Sequence, residues 1–238
     1  MNNQWGTFPG KAEDNVMKTI FKAESTVLFQ GDSITDWGRD GGLLMDMFPE
    51  GGGALGKGYA YRAAKIYELL FPNHPVKFIN RGVSGDRCQN LLERYQKDIL
   101  EVHPDYLSIM IGINDTWRRY DSNDITSKEQ FETNLTELLE KIKKDLPDTK
   151  LMLIEPFLVP TDPEKEVFWE DLGPKVEVTR RLARKYADVY LPMNGILTNC
   201  LIEKVPTEDL SYDGVHLSDP GCAIMAREYL KAWASIEA

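Results

Sequence analysis

Four short segments carry the residue types that acyl-transfer chemistry needs, and each follows an apolar run. Residues 27–36, VLFQGDSITD, run from an apolar stretch into Gly31, Asp32 and Ser33. A serine on the turn out of a strand sits where unpaired backbone N–H groups favour developing negative charge, which suits a nucleophile. The same three residues also make ordinary turns and helix caps. Residues 79–85, INRGVSG, break after an apolar pair into two glycines, and Gly82 is the candidate to point an amide at an oxyanion, with a tight turn as the alternative. Residues 108–117, SIMIGINDTW, end in Gly112, Asn114 and Asp115. The Asn114 carboxamide is a neutral donor that titration near neutral pH cannot remove, although asparagine also caps loops.

The fourth segment, residues 211–221, SYDGVHLSDPG, sets Asp213 three residues before His216. In a tight turn an aspartate at this spacing reaches imidazole Nδ1, fixes the tautomer and leaves Nε2 free to take a proton from serine. Of the three histidines, His74 and His103 each precede a proline on a connecting segment, which leaves His216 as the candidate base. Asp32, Trp117 and Tyr212, beside these residues in the chain, are the candidate substrate-binding residues. Trp117 has the position to wall an acyl pocket, or to serve as core.

These residues need a scaffold that gathers strand ends. Short apolar runs at 26–30, 76–80, 106–111, 150–155 and 189–191 alternate with helical periods at 59–70, 89–102, 128–144, 167–186 and 222–234. That alternation predicts α/β architecture, a parallel sheet with helices on both faces. Leu91, Leu92, Tyr95, Ile99 and Val102 form an apolar stripe that should lie on the sheet. Residues 41–58 hold seven glycines around Leu43, Leu44, Met45 and Met47, a long insertion placed either to cover the crevice at the strand ends or to make a plain surface excursion. No repeat or linker divides the chain, so one domain over residues 1–238 is expected, with residues 1–24 as an N-terminal extension.

Composition limits the partners. The chain has 238 residues, 42% of them hydrophobic and 28% charged, with a formal charge of −10. Acidity argues against nucleic acid and anionic membranes, which need clustered Lys and Arg. Cys88, Cys200 and Cys222 are odd in number and widely spaced, which reads as free thiols in a reducing compartment. Without a leader-like or spanning apolar stretch, a cytoplasmic location is expected.

Taken together, Gly31-Asp32-Ser33-Ile34, Asn80-Arg81-Gly82, Gly112-Ile113-Asn114-Asp115 and Asp213-Gly214-Val215-His216 resemble the four blocks of the SGNH, or GDSL-type, hydrolase family over about residues 25 to 235. Ile34 replaces the leucine of the family name. Residues 109–118, IMIGINDTWR, and 58–61, GYAY, are further similar to the intracellular acetylxylan esterases of that family. The resemblance implies a three-layer α/β/α sandwich around a five-stranded parallel sheet, flavodoxin-like in type. It implies a catalytic triad of Ser33, Asp213 and His216, an oxyanion hole from Ser33, Gly82 and Asn114, and no metal or cofactor. An acetylated oligosaccharide is the expected substrate and a homo-oligomer the expected assembly. A lysophospholipase or thioesterase on the same scaffold, and a carbohydrate-binding protein without catalysis, are the competing readings.

Overall fold

The computed structural model describes residues 19–41 and 53–236. Five strands, β1 (Thr26–Gly31), β2 (Lys77–Asn80), β3 (Tyr106–Met110), β4 (Lys150–Ile154) and β5 (Val189–Leu191), form one sheet in the order β2-β1-β3-β4-β5. Every neighbouring pair is parallel. Parallel neighbours require crossovers, and the long helices α2 (Tyr59–Leu70), α5 (Lys128–Asp145), α7 (Trp169–Tyr186) and α10 (Asp219–Ala234) supply them or close the layers. The three-layer α/β/α architecture expected from the alternation is the one observed.

Both faces of the sheet are apolar. Val27 and Phe29 of β1, with Met152 and Ile154 of β4, pack with Tyr59, Tyr67, Tyr229 and Trp233 of α2 and α10. Leu28, Leu107, Leu151 and Leu153 turn the other way and pack with Leu138 of α5, Leu182 of α7 and Leu91 of α3 (Cys88–Glu93). Alternate residues therefore enter opposite cores, which is why these strands read as unbroken apolar runs.

The helix expected at 89–102 is two pieces, α3 and a π turn over Gln96–Leu100. The stripe survives the break: Leu91, Tyr95 and Ile99 are all buried. These residues are four apart, a spacing that keeps them on one broad face. At the amino end, residues 19–24 are less an extension than expected, because Phe21 is buried and its ring packs on Tyr67, Phe78, Tyr106 and Trp233. Most of the glycine-rich insertion, 42–52, lies outside the described residues. Among those described, no helix is long and apolar enough to cross a membrane.

The chain leaves β1 for β2 on one side and reaches β3 on the other. The carboxyl ends of β1 and β3 therefore flank a topological switch point, where open α/β sheets hold ligands. Four short helices also escaped the periodicity reading: α1 (Ser33–Asp36), α6 (Pro163–Glu166), α8 (Met193–Ile202) and α9 (Thr207–Leu210). More consequential is α4 (Ile113–Asp121), where a loop was expected after β3. Gly112, at φ 126, turns the chain from strand to helix in one residue, a conformation closed to other residue types.

Candidate active site

Ser33 opens α1 directly after β1. Gly31 is required at the strand exit, since a Cβ there would lie 2.4 Å from the Met110 carbonyl oxygen of β3. Asp32 caps α1, its Oδ1 accepting the Ile34 N–H at 3.0 Å. The Ser33 N–H meets no acceptor among the described residues. The expected contact of Asp32 with substrate is not what the structure gives. Asp32 is 1% exposed, one oxygen is spent on the cap, and buried Oδ2 has no partner among the described residues. Burial pushes its carboxyl up to about 7, against the Ile34 N–H and the charge of His216, with Asp86 and Asp115 adding to the rise.

His216, the candidate base, is carried by a closed turn. The Tyr212 N–H donates to the His216 carbonyl at 2.9 Å, the Ser211 hydroxyl donates to the same oxygen at 2.7 Å, and Gly214 adopts φ 91 between them. Inside the turn, Asp213 Oδ1 accepts the Val215 and His216 N–H groups at 3.0 and 2.7 Å. Oδ2 lies 2.8 Å from His216 Nδ1, and His216 Nε2 lies 2.8 Å from Ser33 Oγ. With Nδ1–H directed at the carboxylate, Nε2 is the acceptor facing serine. Burial works against the Asp213 carboxylate, but the His216 ring, by hydrogen bond and charge, and two backbone N–H groups outweigh it and hold the carboxyl well below its usual range. The spacing in the sequence and the geometry of the turn thus bring Ser33, His216 and Asp213 into one hydrogen-bonded line.

The donor side departs from expectation at one residue. Gly82 gives its N–H to Asn80 Oδ1 at 2.8 Å, and a Cβ on it would lie 2.4 Å from the Asp36 nitrogen. It packs against α1 and its amide is committed. Gly85, three residues on, lines the cleft with Ser33, Asn114 and His216. It sits at φ 85, space is open around its Cα, and its N–H has no acceptor among the described residues. Gly85 therefore replaces Gly82 as the candidate amide donor. Asn114 reaches the same cleft from the first turn of α4, its Nδ2 donating one hydrogen to the Asp86 carbonyl at 3.1 Å and leaving the second free.

Several residues to which the sequence reading gives no role of their own hold this arrangement. Asn80 Nδ2 donates to the Thr35 carbonyl at 2.5 Å and the Leu55 carbonyl at 3.0 Å, locking α1. Asp36 Oδ2 accepts from the Ser84 N–H at 3.2 Å and hydroxyl at 2.7 Å, tying α1 to the Gly85 loop. Arg94 donates to the carbonyls of Gly31 and Arg81, at 3.1 and 2.7 Å, and to Asp86 at 2.6 Å. Asp115, buried, accepts the Cys88 N–H at 3.1 Å, and burial pushes its carboxyl up to about 6 against that bond and the charges of Lys175 and Arg87.

The cleft measures about 260 Å³ and is lined by Ser33, Gly85, Asn114, Trp117, Arg118 and His216 among others. Asn114, Trp117, Arg118 and Asp121 share one face of α4 at three- and four-residue spacings. Aromatic rings flank the imidazole: Trp37 lies 5.5 Å and Trp117 6.2 Å from it, centroid to centroid. Tyr212 stacks parallel to Trp37 at 6.3 Å and is 67% exposed, so a ligand at the cleft mouth can reach it. The cysteines are free, and burial pushes the Cys88 thiol well up and that of Cys222 up to about 12, which keeps both unreactive.

A family model described as GDSL-like Lipase/Acylhydrolase matches residues 29–224. The acetylxylan esterase of Geobacillus stearothermophilus is 31% identical over 213 residues, 86% of this chain and 92% of its own length. A crystal structure of that organism's acetylxylan esterase superposes with a TM-score of 0.75 at 28% identity, over 91% of this chain and 96% of the other. A candidate GDSL-like lipase from Parabacteroides merdae superposes with a TM-score of 0.81 at 30% identity, over 91% and 98% of the two chains.

Proposed function

Since the chain belongs to the GDSL-like lipase/acylhydrolase family and is an esterase of that family, we propose that it removes acetyl groups from carbohydrate, with acetylated xylo-oligosaccharides as the substrate, through an acyl-enzyme. The observation that carries this reading is the unbroken line from Asp213 through His216 to Ser33 Oγ, opening onto a cleft with unpaired donors.

In the proposed sequence His216 Nε2 takes the Ser33 proton as Oγ attacks the acetyl carbonyl, and Asp213 stabilises the imidazolium. The Ser33 and Gly85 N–H groups and Asn114 Nδ2 hold the oxyanion. His216 then gives the proton to the departing sugar oxygen, and a water, deprotonated by the same ring, attacks the acyl carbon and releases acetate as the ring returns the proton to Ser33 Oγ. Two observations support the substrate class. Trp117 bounds a small cleft beside Ser33 and His216, and Tyr212 over Trp37 offers an exposed aromatic face of the kind that sugar rings stack on. The likeness to an acetylxylan esterase points the same way.

The test is acetate release from short acetylated xylo-oligosaccharides by wild type and Ser33→Ala, beside p-nitrophenyl acetate and p-nitrophenyl octanoate. Wild-type cleavage of both acetyl substrates, lost in the mutant, is the expected result. Cleavage of the activated acetate alone would end the carbohydrate assignment and keep the nucleophile. Preference for octanoate would turn the reading towards a lysophospholipase or thioesterase.

A further inference from the structure

The turn that carries Asp213 and His216 is gripped from outside by the connection between β4 and α7. The Val159 N–H donates to the Gly214 carbonyl at 2.8 Å, and a Cβ on Gly214 would lie 2.7 Å from the Val159 oxygen. On the other side stands Lys165 of α6. Asp162 caps α6 by accepting the Lys165 N–H at 2.9 Å, which fixes where this side chain leaves the backbone. Lys165 Nζ donates to the main-chain carbonyl of Asp213, lies 4.0 Å from Asp213 Oδ2, and sits 4.7 Å from the centroid of the Trp117 indole. The Lys165 side chain is 17% exposed and that of Asp213 36%, so solvent screens the pair only in part.

We propose that Lys165 is a positioning residue for the Asp213–His216 pair, holding the turn in register with Ser33 and, by its charge beside the carboxylate, keeping His216 unprotonated to lower pH. The inference rests on the ester-hydrolase reading above. Its two halves have separate physical causes. Donation to the Asp213 carbonyl fixes the backbone of the turn, while a cation near Oδ2 offsets part of the negative charge that favours the imidazolium. Among the described residues, the only basic side chains with a nitrogen within 4.0 Å of the Asp213 carboxylate are Lys165 and His216. Other charges face His216 from neighbouring elements: Asp32 from the β1–α1 junction, and Arg118 and Asp121, paired with each other, from α4. Asp162 and Glu164 flank Lys165 itself.

Three variants in the full chain separate the halves: Lys165→Gln, Lys165→Met and Lys165→Arg. For each, kcat/KM for p-nitrophenyl acetate is measured from about pH 5 to about pH 9 at low salt, with the melting temperature. Glutamine keeps a donor but loses the charge, and moves the midpoint of the acidic limb up by about half a unit. Methionine loses both, giving the same displacement with a plateau about tenfold lower. Arginine keeps the midpoint where it was. A lysine with a merely structural role would lower plateau and melting temperature in the glutamine and methionine variants with the midpoint unmoved, and that result overturns the proposal. The His216 ring titration, followed by NMR in wild type and Lys165→Gln, reads the same displacement without substrate. Inactivity towards every ester would therefore sink the esterase reading alone, while an unmoved NMR midpoint sinks this one.

Discussion

Two strand ends of this sheet each bury a carboxylate, and they treat it oppositely. At the end of β4, Glu155 is fully buried and both its oxygens are used: Arg180 Nε donates to Oε1 at 2.6 Å, and the Asn194 and Gly195 N–H groups donate to Oε2 at 3.1 and 3.4 Å. At the end of β1, Asp32 is equally buried, yet one oxygen has no partner and the neighbouring Ser33 N–H has none either, among the described residues. The Glu155 carboxylate is saturated and serves to fasten α8 and α7. The β1 end leaves hydrogen-bonding capacity unspent beside Ser33. Buried polar groups are ordinarily satisfied, so a cluster of exceptions marks where the fold has given up stability for readiness to bind charge.

Four substitutions break or sharpen that contrast. The largest effect is expected from Asn114→Ala, which removes a donor from the unsaturated end. Turnover of p-nitrophenyl acetate should fall about 100- to 1,000-fold, roughly 3–4 kcal/mol of transition-state stabilisation, with the melting temperature little changed. A loss under about fivefold would take Asn114 out of the oxyanion hole.

Glu155→Ala should do the reverse. It leaves the Asn194 and Gly195 N–H groups without their acceptor and releases Arg180, 44% exposed, to solvent, and should cost about 2 kcal/mol of stability, seen by urea unfolding, while kcat of the folded enzyme persists. Lost activity without lost stability would erase the distinction between the two ends.

Asp32→Asn keeps the cap and removes the burdened charge. Because the folded pKa of Asp32 stands at about 7, above the value of 3.8 for an exposed carboxyl, the folded state holds the proton more tightly than the unfolded chain does. Its contribution to stability is therefore fully present below about pH 4 and is lost as pH rises towards 7. The melting temperature of Asp32→Asn relative to wild type should rise by several degrees between about pH 5 and about pH 8. Parallel melting curves would mean that Oδ2 is not held in the low-dielectric site described.

The smallest effect is expected at the mouth of the cleft. Tyr212→Ala should raise KM for acetylated xylo-oligosaccharide about threefold more than KM for p-nitrophenyl acetate, from the loss of one exposed aromatic face. Equal changes would show that the ring does not touch the sugar.

Much of this arrangement was legible beforehand, and the failures have physical reasons. Apolar runs located β1 to β4 to within one residue at each end and β5 without error, because strands buried on both faces leave a continuous signature. Asp213 and His216 were legible because their pairing is local, closed within one turn. Gly82 and Gly85 look alike in sequence, and only the position of the Asn80 side chain tells which amide is spent. Helix α4 was missed although Ile113, Trp117 and Tyr120 stand at helical spacing, because Gly112 and Asn114 at its start read as loop residues after the strand. Arg94 and Lys165 act across long stretches of chain, and charge alone gives no hint of what a side chain will hold.

Gly112 has a consequence for how such an enzyme changes over generations. One left-handed residue sets the direction of α4, and α4 carries both Asn114 and Trp117, the candidate donor and one wall of the cleft. A backbone shift that enlarged the pocket would drag the donor off its target. Selection for bulkier acyl groups is therefore channelled into replacing the Trp117 side chain, while the axis of the helix stays fixed.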